Sequence, residues 1–195
     1  SQIYHSKCAS LKLKDAIVDR FRNQIGERPS VDTNEPDVVF NLYIQNDIAT
    51  ISLDTAGDSL HRRGYRTDTG EAPMQETVAA TMVRLSDWNG ENTLYDPMCG
   101  SGTILCEALM KYCKIPAGYL RDGFGFEYLP DFDEKLWQKV KNACDAQIRK
   151  LEAGAIKGSD ISPKMVHIAR KNCANLPYGD RIVVSVKPCQ KIDSL

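Results

Sequence analysis

From Asn92 onward the chain alternates β-type and helical segments, and this alternation constrains its fold more than any other feature. Asn92 to Tyr95 reads as a short strand ending at Asp96. Thr103 opens a helix with Ile104, Leu105, Ala108, Leu109 and Tyr112 as its buried stripe. Residues 114–130 are irregular. A long helix is expected next, because Phe132, Leu136, Val140, Cys144, Ile148 and Leu151 keep helical spacing. Ala155 to Ser159 reads as a second strand ending at Asp160, and Arg181 to Val186 as a third. Between them Ser162-Pro163 supplies a cap and a first-turn proline, with Val166, Ala169, Cys173 and Leu176 facing inward. Strands separated by helices predict a parallel sheet with helices on its faces. Ligands in such sheets sit beyond the carboxyl ends of the strands, where Asp96 and Asp160 fall.

The segment before residue 92 has a different pattern. Leu13, Ile17, Phe21 and Ile25 recur every four residues and predict a helix over 12–25. Residues 37–44 and 48–53 are β-rich, with Gln45-Asn46-Asp47 as a hairpin turn. This is a small α+β piece. Residues 55–72 form a polar, glycine-bearing connector. Pro73 suits the first turn of a helix running to about Ser86, with Met74, Val78, Met82 and Leu85 on one face.

Composition narrows the function classes. The net charge is −1 over 195 residues, so there is no global basic footprint for nucleic acid, although a local patch would suffice. No apolar run approaches the ~20 residues a membrane helix needs, so no membrane partner is expected. The seven cysteines show no Cys-x-x-Cys pair, so no metal site is expected, and free thiols point to a reducing, cytoplasmic setting. The chain begins at Ser1 and ends at Leu195 just after a strand, and we expect it to be a segment of a longer protein.

The loop Asp96-Pro97-Met98-Cys99-Gly100-Ser101-Gly102-Thr103 joins the first strand to its helix. A phosphate-binding loop needs Gly-Lys-Ser/Thr, and here Gly102 is followed directly by Thr103. A dinucleotide fingerprint needs a third glycine where Leu105 stands. A tight turn with no ligand is the plain alternative. Asp160 weighs against it, because a carboxylate at a strand end can accept two hydrogen bonds from a ribose diol. An acid at Asp96 and no base in the loop suit a nucleoside with a cationic centre. S-adenosyl-L-methionine is such a ligand.

This loop resembles the first motif of class I methyltransferases that act on exocyclic amines of nucleobases. Residues 60–80, LHRRGYRTDTGEAPMQETVAA, resemble the segment joining a THUMP RNA-binding domain to such a methyltransferase domain. The relatives are ribosomal-RNA guanine methyltransferases and their tRNA-modifying cousins. GYLRDGFGFE, from Gly118, fits the family's insertion before the second strand. The resemblance implies an α/β fold: a partial Rossmann-like class I methyltransferase domain preceded by the α+β end of a THUMP domain. It implies residues 1–55 as the THUMP-like part, 56–72 as connector and 73–195 as the first part of the methyltransferase domain. Cofactor contacts are then expected from Asp96, Pro97, Met98, Cys99, Gly100, Ser101, Gly102 and Thr103, from Asp160 and Ile161, and from Pro73 and Met74. After the third strand the family often places an acid against the adenine amine. Cys189 or Gln190 stands there, and Gln190 can accept from that amine.

The resemblance also breaks. Relatives carry an Asn/Asp-Pro-Pro-Tyr/Phe motif after a fourth strand, where it orients the target amine. No Pro-Pro occurs here, so no catalytic residue is assigned, and the motif is expected beyond Leu195. Asn175-Leu176-Pro177-Tyr178 reads instead as a helix terminator. Arg62, Arg63, Tyr65 and Arg66 form a basic-aromatic cluster that is either an RNA contact, with Tyr65 stacking, or a solvated loop. The function implied is methyl transfer from S-adenosyl-L-methionine to a base amine in structured RNA, best guanine N2 of large-subunit ribosomal RNA. The alternatives are an adenine-N6 DNA methylase and a fragment that binds cofactor or RNA without turnover.

Overall fold

The computed structural model describes residues 5–34, 36–70 and 72–192. They divide into two compact units, one within Ser1–Asp58 and Gly123–Phe132, the other within Ser59–Asp122 and Asp133–Leu195.

In the first unit, helix α1 spans Ser6–Ile25 and stops at Gly26, whose φ of 77° allows its N–H to reach the Arg22 carbonyl at 3.0 Å. The helix starts earlier than the expected residue 12, because its first turns carry no apolar repeat. Strands β1 (Val39–Gln45) and β2 (Ile48–Asp54) pair antiparallel, with Gln45 opposite Ile48. Asn46 and Asp47 both have positive φ, 50° and 60°, as a two-residue turn matching the strand twist requires. Residues 123–132 return to this hairpin. Phe126 N–H donates to the Thr55 carbonyl at 2.9 Å, and Phe126 packs against Phe124 and Phe132. A Cβ at Gly125 would stand 2.7 Å from the Asp54 carbonyl oxygen, so only glycine permits this approach.

The second unit contains α2 (Glu76–Leu85), β3 (Leu94–Asp96), α3 (Thr103–Cys113), α4 (Glu134–Asp145), β4 (Ile156–Asp160), α5 (Pro163–Ala174) and β5 (Val183–Val186). The strands are parallel in the order β3-β4-β5. Leu105, Ala108 and Leu109 of α3 and Val166, Ala169 and Cys173 of α5 are buried with Ile156 and Val184 of the sheet. Each such large apolar side chain contributes roughly 1.5–3 kcal/mol on burial. Gly158 lies mid-strand because a Cβ there would meet Leu105 Cδ1 at 2.7 Å, so its absence lets α3 sit directly on β4.

Three expectations are corrected. Helix α2 begins at Glu76 with Gln75 as N-cap, so Pro73 precedes the helix and is not in its first turn. Its face of Val78, Met82 and Leu85 is exposed, and Ala79 and Val83 are buried instead. The long fourth helix ends at Asp145 and buries none of its own residues; Leu136, Val140 and Cys144 are exposed, and Leu151 enters the core from beyond the helix.

Candidate functional site

The carboxyl end of β3 opens into a hollow of about 280 Å³. One wall is Gly70, Ala72, Pro73 and Met74, ahead of α2. The other is Asp96, Met98, Cys99, Gly100, Ser101, Thr103 and Ile104, and Met165 of α5 closes one side. Most residues expected to touch a cofactor are therefore brought together. Pro97 and Gly102 belong to the same loop but face other groups.

The two glycines of this loop answer different constraints. Both have positive φ, 53° at Gly100 and 83° at Gly102. A Cβ at Gly100 would find no protein atom within 4 Å, so this part of the lining is bare backbone beside open space. A Cβ at Gly102 would meet the Ala169 Cβ at 3.2 Å, so its absence lets α3 pack on α5. An adenosyl ligand needs such a bare approach, and the loop fits it.

Asp160 stands at the carboxyl end of β4, as expected, and also serves the glycine loop. Its carboxylate accepts from Gly100 N–H at 3.0 Å through Oδ2 and from Ser162 N–H at 2.9 Å through Oδ1. It latches the glycine loop to the end of β4. A carboxylate oxygen has two acceptor sites, so these bonds leave capacity for a ribose hydroxyl. Asp160 is not in the lining of the hollow. Ile161 is 71% exposed beside it, and Gln190 is an exposed residue of the short turn Cys189–Lys191. Neither is brought into the hollow. Sequence reasoning missed Gly70, Ala72, Ile104 and Met165. Gly70 and Met165 touch by shape, since a Cβ at Gly70 would stand 2.9 Å from the Met165 methyl, and no motif announces that contact.

The electrostatics favour a cation at one end. Burial pushes the Asp96 carboxyl above the usual aspartate range, against the Met98 N–H that it accepts at 3.1 Å; the Asp160 charge adds to the rise. Burial, followed by the charges of Asp96 and Asp160, pushes the Cys99 thiol up to about 12, so it stays protonated. Among the described residues there is no group of three or more His, Cys, Asp or Glu arranged to hold a metal ion, and no helix is long and apolar enough to cross a membrane.

The basic-aromatic cluster is corrected in most of its members. Tyr65 is only 1% exposed and donates its hydroxyl to Glu107 at 3.0 Å, so its ring cannot stack on a base. Arg63 lies 3.5 Å from Glu107 and donates to the Leu60 carbonyl at 2.8 Å. Arg66 turns inward, donating to the Met74 carbonyl and to Thr103 Oγ1. Arg62 is exposed. A second hollow, about 430 Å³, is lined by Arg63, Arg84, Lys111, Lys114 and Glu107. One of its cations, Lys111, donates to the carbonyl of Val83 near the end of α2 and to that of Trp88 in the loop beyond, at 3.0 Å each.

A family model for the RMKL-like methyltransferase domain matches residues 63–194, more than half of the chain, and one for the THUMP domain matches residues 2–54. The chain belongs to the RMKL-like methyltransferase domain family. It is 44% identical over 194 residues to the ribosomal RNA large subunit methyltransferase K/L of Psychromonas ingrahamii, covering 98% of this chain and 26% of that protein. The protein of the same name from Desulfotalea psychrophila is 40% identical, with 94% and 26% covered. Among solved structures, SMU.472, described as a "putative methyltransferase complexed with SAH", superposes with a TM-score of 0.80 at 36% identity. That match covers 93% of this chain and 48% of SMU.472. A protein of Listeria monocytogenes described as a predicted N6-adenine-specific DNA methylase gives a TM-score of 0.85 at 29% identity, over 100% of this chain and 51% of that one. The chain thus spans about a quarter of the K/L relatives and about half of the solved structures.

Proposed function

We propose that this chain supplies the cofactor-binding part of an S-adenosyl-L-methionine-dependent RNA methyltransferase. The observation that carries the reading is the hollow at the end of β3, lined by a glycine loop with a bare approach at Gly100 and a buried acid at Asp96. The cofactor, when bound, supplies an electrophilic methyl group on a sulfonium. Asp96 favours positive charge at that end, Gly100 and Ser101 present backbone to the ligand, and Asp160 holds the loop in register and offers an acceptor for the ribose. The complex of SMU.472 with SAH supports the cofactor class.

The substrate class rests on the THUMP match and on the K/L relatives. We propose a base amine of structured RNA, with guanine N2 of large-subunit ribosomal RNA as the first candidate, and division of the chain into a THUMP-like part at 1–55, a connector at 56–72 and a methyltransferase part at 73–195. The Listeria protein's description favours a second reading, adenine in DNA. The native gene product, incubated with methyl-labelled cofactor, ribosomal RNA and duplex DNA, separates the two. Label in an N2-methylguanine of RNA supports the first reading, and label in DNA alone overturns it.

A further inference from the structure

The segment 65–76 carries one wall of the hollow, and Tyr65, Arg66 and Glu76 turn their polar groups into the protein. Arg66, with a side chain only 13% exposed, spreads its guanidinium between the two walls. Nη2 donates to the Met74 carbonyl at 2.7 Å and to Thr103 Oγ1 at 2.9 Å. Nη1 lies 3.5 Å from Oε1 of the buried Glu76, which neutralises its charge. Met74 belongs to the wall ahead of α2, and Thr103 to the glycine-loop wall. One rigid planar group therefore spans the hollow's two sides.

A second tie lies alongside. Asn172 of α5 is fully buried, and its amide uses its whole bonding capacity. Oδ1 accepts from the N–H groups of Thr67 and Asp68 at 3.1 and 3.3 Å. Nδ2 donates to the carbonyls of Asp68 and Ser101, each at 3.0 Å. Ser101 is again on the glycine-loop wall. Neither the glycine motif nor the acid at the strand end requires these residues. What they share is that each holds backbone from one wall against a polar group of the other.

We propose that Arg66 is a positioning residue that fixes the separation of the two walls of the hollow, with Asn172 as a second brace. The inference deepens the cofactor reading and rests on it for its ligand. Nη2 holds both acceptors while Nη1 of the same rigid plane faces Glu76, whereas a lysine ammonium must serve the two oxygens and the carboxylate from one atom. With its charge balanced by Glu76, Arg66 can stand behind the wall without opposing a cationic ligand.

The test uses this chain with Arg66→Lys, Thr103→Val and Thr103→Ser, read by amide hydrogen exchange and by titration with S-adenosylhomocysteine. Arg66→Lys is expected to raise exchange in residues 72–76 and 100–104 while β4 and β5 keep their protection. Ligand affinity is expected to fall by on the order of tenfold or more, as displacement of positioning groups commonly produces. Thr103→Val should raise the same exchange, Thr103→Ser, which keeps the accepting hydroxyl, should leave exchange in both walls native, and Arg66→Lys should add little on top of Thr103→Val. Native exchange in both walls of a folded Arg66→Lys chain overturns the proposal. So does lowered melting with native affinity, which marks a merely structural role. Should Arg66→Lys fail to fold, the Thr103 pair decides: equal affinities and equal exchange overturn the brace. A folded wild-type chain that fails to bind the ligand overturns the cofactor reading instead, and the exchange comparison still judges the brace.

Discussion

Gly100 and Gly102 stand two positions apart in one loop, and their substitution should have separable consequences. Gly102→Ala places a methyl against Ala169 and puts a side chain at positive φ, so it should cost on the order of 1–3 kcal/mol of stability by chemical denaturation. Gly100→Ala meets no protein atom, so its cost should be near the conformational penalty alone, about 1–2 kcal/mol. It should nevertheless weaken S-adenosylhomocysteine binding by titration, because the added methyl stands on the lining of the hollow. Asp96 gives a pH prediction. Burial raises its pKa in the folded state, so the folded protein holds this proton more tightly than the unfolded chain. The contribution to stability is present below the ordinary aspartate value and is lost as pH rises through the raised one. A bound sulfonium favours the ionised form. The affinity for S-adenosyl-L-methionine relative to the neutral thioether S-adenosylhomocysteine should therefore increase with pH across that window. Titrations of both ligands over a pH series check this, and Asp96→Asn should flatten the trend.

At the scale of elements, α5 and α3 were legible because their burial and their ends are encoded locally. Ser162 caps α5 by accepting from Met165 N–H at 3.4 Å, Pro163 follows at the first turn, and the inward residues recur at helical spacing. Ser162→Ala should cost about 1 kcal/mol in a denaturant melt. Periodicity misled in α2 and α4, where an apolar stripe exists but the described residues do not cover it. A stripe states which face can be buried; it does not say that a neighbour is present. The return of residues 123–132 to the hairpin was not legible, since it depends on a close backbone approach at Gly125 between residues far apart in sequence. The glycine loop was read as a candidate cofactor site from its glycines and strand-end acids. The inward turn of Tyr65 and Arg66 was not, because their partners Glu107, Met74 and Thr103 are fixed by packing, not by a local pattern. A basic-aromatic run looks the same in sequence whether it faces RNA or a buried acid.

At the scale of the whole molecule, a net charge of −1 would leave the proposed RNA contact to local groups. Of the four residues first considered, Arg62 is the exposed one whose replacement by Ala should weaken the proposed RNA binding of the native gene product and reduce its salt slope. Arg63→Ala should act through stability, because it leaves the buried Glu107 without its nearest cation. Filter binding over a salt series and thermal melts separate the two effects. The central claim, that the second unit forms a cofactor site, is measured most directly by calorimetric titration of S-adenosylhomocysteine into this chain. The account predicts one saturable site per chain, lost in Gly100→Val and kept in Arg62→Ala. A folded chain that gives no saturable binding, or equal binding by Gly100→Val, would contradict it.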